Sequence, residues 1–232
     1  MKYRVKFSKN GAIKYIGHLD VMRYFQKAIR RAHIPIAYTE GFSPHQILSF
    51  AFPLSVGFTS EGEYFDMELT EETDENVIFE SLNSQLNEGI QIIAVKKLPD
   101  KSPNCMSSVF AASYEVTIKD KVSLPDDFQN RAVDFYSQQT IPVNKPKKKG
   151  GGYIFINLKE YLYDFNAISN NSIGFTVNAS SDSNIKPTFV TECLLNYMGA
   201  EIPENAFDVK RIDIFENTGT AEDIKLQPLI NC

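Results

Sequence analysis

The chain of 232 residues contains no tryptophan and only three cysteines, Cys105, Cys193 and Cys232. They are odd in number, widely spaced and form no CxxC pair, which argues against a disulfide framework and against a zinc or iron–sulfur site. No apolar run approaches the roughly 18 residues that a membrane span needs. The opening Met1-Lys2-Tyr3-Arg4-Val5-Lys6 alternates instead of leading into an apolar signal core. These absences lead us to expect a reduced cytoplasmic setting, no membrane association and no cofactor or metal. A hydrophobic share of 43% and an aromatic share of 12% exclude a disordered chain.

The net charge of −5 hides a segregation. Residues 1–50 carry nine Lys/Arg against Asp20 and Glu40, a balance of +7, and all three histidines (His18, His33, His45). The remainder stands at −12. Such a chain can attract a polyanion locally despite its acidic total.

Period and punctuation predict a strand over 2–8, with Tyr3, Val5 and Phe7 on one face and Arg4 and Lys6 on the other. A helix over 18–33 is capped by Gly17, buries Leu19, Met22, Phe25, Ile29 and Ala32, and is stopped by Pro35. Strand material around 47–56, a strand over 63–69, a helix over 74–86 and a strand over 90–96 complete the order β-α-β-β-α-β. After a linker at 98–112 the order returns: strand 114–118, helix 126–138, strands near 141–144, 153–158, 162–168 and 173–179, helix 187–198 and strand 209–215. The fold expected is α+β, two tandem ferredoxin-like domains at 1–97 and 113–232, the second with extra strands.

Chemistry is concentrated in four places. Arg23, Lys27, Arg30 and Arg31 share the side of the first helix opposite its apolar stripe, where they could follow a phosphate backbone or form a solvated face with favourable dipole placement. The loop Gly41-Phe42-Ser43-Pro44-His45 presents an aromatic ring and an imidazole suited to a nucleotide, unless Phe42 packs inward. Lys147 and Lys148 sit in Lys145-Pro146-Lys147-Lys148-Lys149-Gly150-Gly151-Gly152, a cationic hairpin whose Lys/Gly order does not match a P-loop. Finally, His18 and His45 could act as acid and base in metal-free RNA cleavage. On the outward face of the sheet, Arg4 and Lys6 are expected to pair with Asp66 and Glu68, leaving Tyr64 as the one exposed aromatic there.

The motifs Phe7-Ser8-Lys9-Asn10-Gly11, Tyr15-Ile16-Gly17-His18-Leu19-Asp20, Ala28-Ile29-Arg30-Arg31-Ala32 and Gly41-Phe42-Ser43-Pro44-His45 with Leu48-Ser49-Phe50 resemble a bacterial radical-SAM-linked family of unknown function. Its members occur alone or fused C-terminally to B12-binding-type radical SAM proteins. Gly17 stands where that family has Ser, and Gln46-Ile47 replaces Pro-Lys/Arg. The resemblance implies an accessory or substrate-recognition role beside a radical SAM enzyme on a separate chain. This chain lacks CxxxCxxC and would not hold that cluster. Charge and resemblance together lead us to expect a structured-RNA-binding adaptor; an endoribonuclease using His18 and His45, or a purely protein-docking adaptor, are the alternatives.

Overall fold

The computed structural model describes every residue except Asp100, Lys148, Lys149 and Cys232. Its elements are β1 (Lys2–Lys9), α1 (His18–Arg31), β2 (Leu48–Phe50), β3 (Thr59–Glu68), α2 (Glu75–Asn83), β4 (Ile90–Lys97), the short α3 (Cys105–Ser108), β5 (Ala111–Ile118), α4 (Phe128–Ser137), β6 (Pro142–Pro146), β7 (Tyr153–Asn157), β8 (Leu162–Ser169), β9 (Ser172–Asn178), α5 (Pro187–Met198), β10 (Phe207–Asn217) and β11 (Leu226–Pro228). The fold is α+β. The chain divides into two compact units, Met1–Phe110 with Arg211–Cys232, and Ala111–Lys210.

In the first unit β1 lies antiparallel between β3 and β4, and β2 runs along β3. The alternation read from the sequence sends Tyr3, Val5 and Phe7 into a core with Phe65 and Met67 of β3, Ile90 and Ile92 of β4, and the apolar faces of α1 and α2. Four rings bind its centre, with centroids 4.7 Å apart for Phe7–Phe25, 4.9 Å for Phe25–Phe65 and 5.2 Å for Phe50–Phe65. Such packing adds to area burial.

α1 buries Val21, Phe25, Ala28 and Ile29, a stripe at i, i+4, i+7 and i+8. Leu19, expected in the core, lies off that stripe and is 64% exposed. The helix ends at Arg31, two residues before the expected His33. There His33 takes a left-handed φ of 53°, and the Ile34 amide returns to the Ile29 carbonyl at 3.3 Å, closing the helix as a C-terminal cap.

The opposite face of this sheet is covered at Arg4, Tyr64 and Asp66, all of them buried. Arg4 and Asp66 are register partners, and their side chains pair through Nε–Oδ1 at 2.8 Å and Nη2–Oδ2 at 3.1 Å, both buried. Arg4 also donates to the carbonyls of Leu229 (3.0 Å) and Pro103 (3.2 Å), and the Cys105 amide donates to Asp66 Oδ2 at 2.7 Å. The pair expected from sequence therefore exists, and it fastens the 103–105 segment and the chain end over the sheet. Lys6 does not follow the expected pairing: its register partner is Tyr64, and its Nζ reaches Asp213 at 2.7 Å. Tyr64 donates to the same carboxylate at 2.5 Å and is only 1% exposed, so it offers no stacking surface.

In the second unit β9 is central, antiparallel to β5 and β8, and α4 and α5 bury Phe128, Ala132, Phe135, Val190, Leu194 and Leu195. Strands β6 and β7 form a separate two-stranded ribbon.

Removing one partner of a buried ion pair strands the other without compensation. Asp66→Ala is expected to destabilise the protein by about 3–5 kcal/mol in urea unfolding, whereas replacing both partners with apolar residues (Arg4→Met with Asp66→Leu) is expected to cost less than the single change. Equal losses would show that the pair's charge is not what matters.

Candidate functional site

Three of the four α1 cations project freely or nearly so. Lys27 and Arg30 are exposed and make no ion pair among the described residues. Arg23 pairs with Asp20 at 3.3 Å, one turn back on the exposed surface, a contact that contributes about 0–1 kcal/mol and yields to a stronger anion. Arg31 departs from this set: its Nη2 donates to the Gln85 carbonyl at 2.8 Å, which ties it to the turn that follows α2.

Residues 36–47 form an irregular hairpin. Ile36 bridges Leu69 and Tyr38 bridges Gln46, while Thr39 donates its amide to the His45 carbonyl at 2.9 Å. Gly41, at φ 110°, makes the turn that a side chain would strain. Phe42 stands at the tip with its ring fully in solvent, 112% of the reference exposure. It does not pack inward. His45 is exposed, with Nδ1 3.1 Å from the Thr39 hydroxyl, which orients its ring. The hairpin is tied to α1 where the Gln46 side chain, otherwise buried, donates to the Gln26 carbonyl at 3.2 Å. Gln26 lies between Arg23 and Arg30 in the sequence of that helix, so the base of the hairpin meets α1 on the stretch that carries the cations.

A second polar cluster closes one end of the first unit's core. Lys9 continues the inward alternation of β1, is buried, and donates to the carbonyls of Lys14 (3.3 Å) and Ile16 (3.0 Å). Glu63 on β3 is held by Arg211 Nη1 at 2.8 and 2.9 Å. Arg211 also donates to the carbonyls of Phe52 and Pro53 and lies over the Phe52 ring. Burial raises the Glu63 pKa against the pull of Arg211, and lowers that of Lys9. His18 meets Phe50 edge-on at 5.5 Å and lines a cavity of about 20 Å³ with Lys9 and Glu63. That space admits a water molecule, not a nucleotide. No hydrogen bond or ring contact joins His18 to His45 among the described residues. The sequence motifs include Lys9 but assign no site role to Lys9, Glu63 or Arg211; for the first two the available signal is a charge standing at core parity beside Phe7 and Phe65.

Of the hairpin lysines, Lys147 is exposed in the second unit, and Lys148 lies outside the described residues. Sequence reading also passed over Tyr153 and Phe155 on β7, which are 67% and 73% exposed.

A family model described as an uncharacterized protein conserved in bacteria, DUF2344, matches residues 2–187. The chain belongs to the DUF2344 family. The match spans β1 to the first residue of α5, so it takes in the cationic helix, the Phe42 hairpin and the polar cluster of this DUF2344 protein. No curated protein matches the chain. A crystal structure of an unknown protein from Galdieria sulphuraria aligns with 90% of this chain and 97% of its own length at 10% identity, with a TM-score of 0.28; that likeness carries no argument about the DUF2344 fold.

Burial lowers the His18 pKa below its ordinary 6.5. In the unfolded chain the ring takes its proton first, so the stability owed to His18 is present above pH 6.5 and is lost as the pH falls through the folded value. An NMR titration of His18 is expected to give a midpoint below 6.5, and the stability of the wild type relative to His18→Gln is expected to decline between pH 7.5 and 5.5. A midpoint above 6.5 would contradict the burial argument.

Proposed function

We propose that this protein binds RNA through its first unit, with phosphates on Arg23, Lys27 and Arg30 and a base against Phe42 beside His45, and that it serves as an accessory, substrate-recognition partner of a separate radical SAM enzyme in the cytoplasm. One observation carries the RNA reading: a wholly exposed phenylalanine stands at the tip of a hairpin fastened to the helix that bears the exposed cations Arg23, Lys27 and Arg30. A ring in water costs hydration without any packing return. Placed beside a cationic helix, it suits a base flanked by phosphates. Lys147, with Lys148 beside it in sequence, adds a second cationic contact. The radical SAM partner rests on the motif resemblance alone.

We further read each unit as ferredoxin-like. In the first, the order β4-β1-β3 with β2 along β3, and two helices following β1 and β3, supports that reading. In the second, β5-β9-β8 with α4 and α5 supports it, the β6–β7 ribbon being the insertion.

His18 and His45 serve the endoribonuclease alternative less well, since the cavity beside His18 has no room for a nucleotide. The test is a salt titration of binding to total cellular RNA. Affinity is expected to fall steeply with salt, and Arg23→Glu/Lys27→Glu/Arg30→Glu is expected to lower the log–log slope by about 0.7 for each lost contact. Binding that is absent, or indifferent to salt and to the triple change, would end the proposal; RNA cleaved in EDTA and spared by His45→Ala would replace it with the nuclease.

A further inference from the structure

Between Asp134 and Glu160 the chain holds five lysines and no acidic residue. The β6–β7 ribbon occupies the middle of this stretch. Its register sets Asn144 opposite Phe155 and Pro146 opposite Tyr153. Cross-strand partners project to the same side of a ribbon and alternate residues to opposite sides. Pro142, Asn144, Pro146, Tyr153 and Phe155 therefore share one face, and Val143, Lys145, Ile154 and Ile156 the other.

The two faces have different fates. Lys145 on the second face donates to the Asn184 carbonyl at 2.7 Å, and Val143 and Ile156 are half-buried, Ile154 alone of that face being exposed. On the first face Pro142, Asn144, Pro146, Tyr153 and Phe155 are all exposed, the half-buried Asn157 closing its far end, and neither aromatic ring meets another ring among the described residues. The two rings stand two residues apart on one strand, about 6.8 Å. At the end of the ribbon the Lys147 amide donates to the Gly152 carbonyl at 3.0 Å, so an exposed cation follows directly on the Pro146–Tyr153 pair. Gly150, Gly151 and Gly152 all take left-handed φ of 68–80°, a path that glycine alone follows without strain, and they add no side chain of their own beside Tyr153.

We propose that the Tyr153/Phe155 face of this ribbon is a stacking platform for two bases of a single-stranded RNA whose phosphates run past Lys147. The inference rests on the RNA reading of the protein and extends it to a base-contacting surface in the second unit. Charge chooses the occupant: a protein partner would need only the rings, whereas the cavity at the ribbon's end is lined by Lys145, Lys147 and Lys186 against Glu192 alone, a balance that favours a polyanion. Stacking of this kind tolerates any base, because every base has a π-face, and alternate aromatics on a strand suit consecutive unpaired bases but not a closed duplex.

Because the chain has no tryptophan, Phe155→Trp places a single indole reporter on the platform while keeping an aromatic ring there. Oligouridine is expected to quench that indole, and a blunt RNA duplex is expected not to. In anisotropy titrations with oligouridine, Tyr153→Ala/Phe155→Ala is expected to bind at least 10-fold more weakly, with duplex binding unchanged. Undiminished oligouridine affinity and an unquenched indole, while Arg23→Glu/Lys27→Glu/Arg30→Glu still abolishes binding, would overturn the platform and leave the first-unit reading intact. The converse pattern would support the platform and remove the α1 site. A change in oligomeric state of the RNA-free protein on Tyr153→Ala/Phe155→Ala, with no loss of RNA affinity, would make the face a protein contact and overturn the platform.

Discussion

A buried guanidinium–carboxylate pair, Arg4 with Asp66, sets what the first unit can do. Desolvating two charges is costly, and the arrangement holds because each is met by further groups: the carbonyls of Pro103 and Leu229 on one side, the Cys105 amide on the other. Those partners come from segments far apart in sequence, so the pair turns the stretch after β4 and the chain end into a cover for the sheet. With α1 and α2 on the other side and Arg4, Tyr64 and Asp66 buried on this one, the sheet offers RNA no exposed stacking ring beside β1 among the described residues. Helix surface, hairpin tips and edges remain to meet such a ligand. That constraint, more than charge counting, directs attention to α1 and to the Phe42 hairpin.

The same constraint revises the meaning of the basic N-terminal segment. Its balance of +7 is not all available. Arg4 and Lys9 are buried, Lys6 is paired with Asp213, and Arg31 is held at a backbone carbonyl. The exposed remainder on α1 is Arg23, Lys27 and Arg30, a shorter strip. Burial also pushes the Cys105 thiol pKa up to about 12, mainly by desolvation, which keeps this sulfur out of the reactive thiolate form.

What could be read from the sequence was local. The alternation of β1, the helical period of α1, the hairpin turn at Gly41 and the cross-strand match of Arg4 with Asp66 all depend on residues whose spacing states their geometry. What escaped depended on distant partners. Lys6 meets a carboxylate in β10 and Tyr64 is buried against the same residue, so neither fate is written near them. Leu19 was misplaced because the apolar residues of α1 admit two overlapping stripes, and only packing on β1 and β3 selects the one through Val21. Tyr153 and Phe155 were passed over because Tyr-Ile-Phe-Ile is apolar at every position, which gives no parity from which to choose an inner face.

The account stands on RNA meeting the Phe42 hairpin and the outer side of α1. Ultraviolet crosslinking of the protein to bound RNA, followed by mass spectrometry of the adducted peptides, tests this most directly. Adducts on residues 39–46, with further ones on peptides bearing Arg23 to Arg30, are the predicted result. RNA-bound protein whose adducts spare both segments would contradict it.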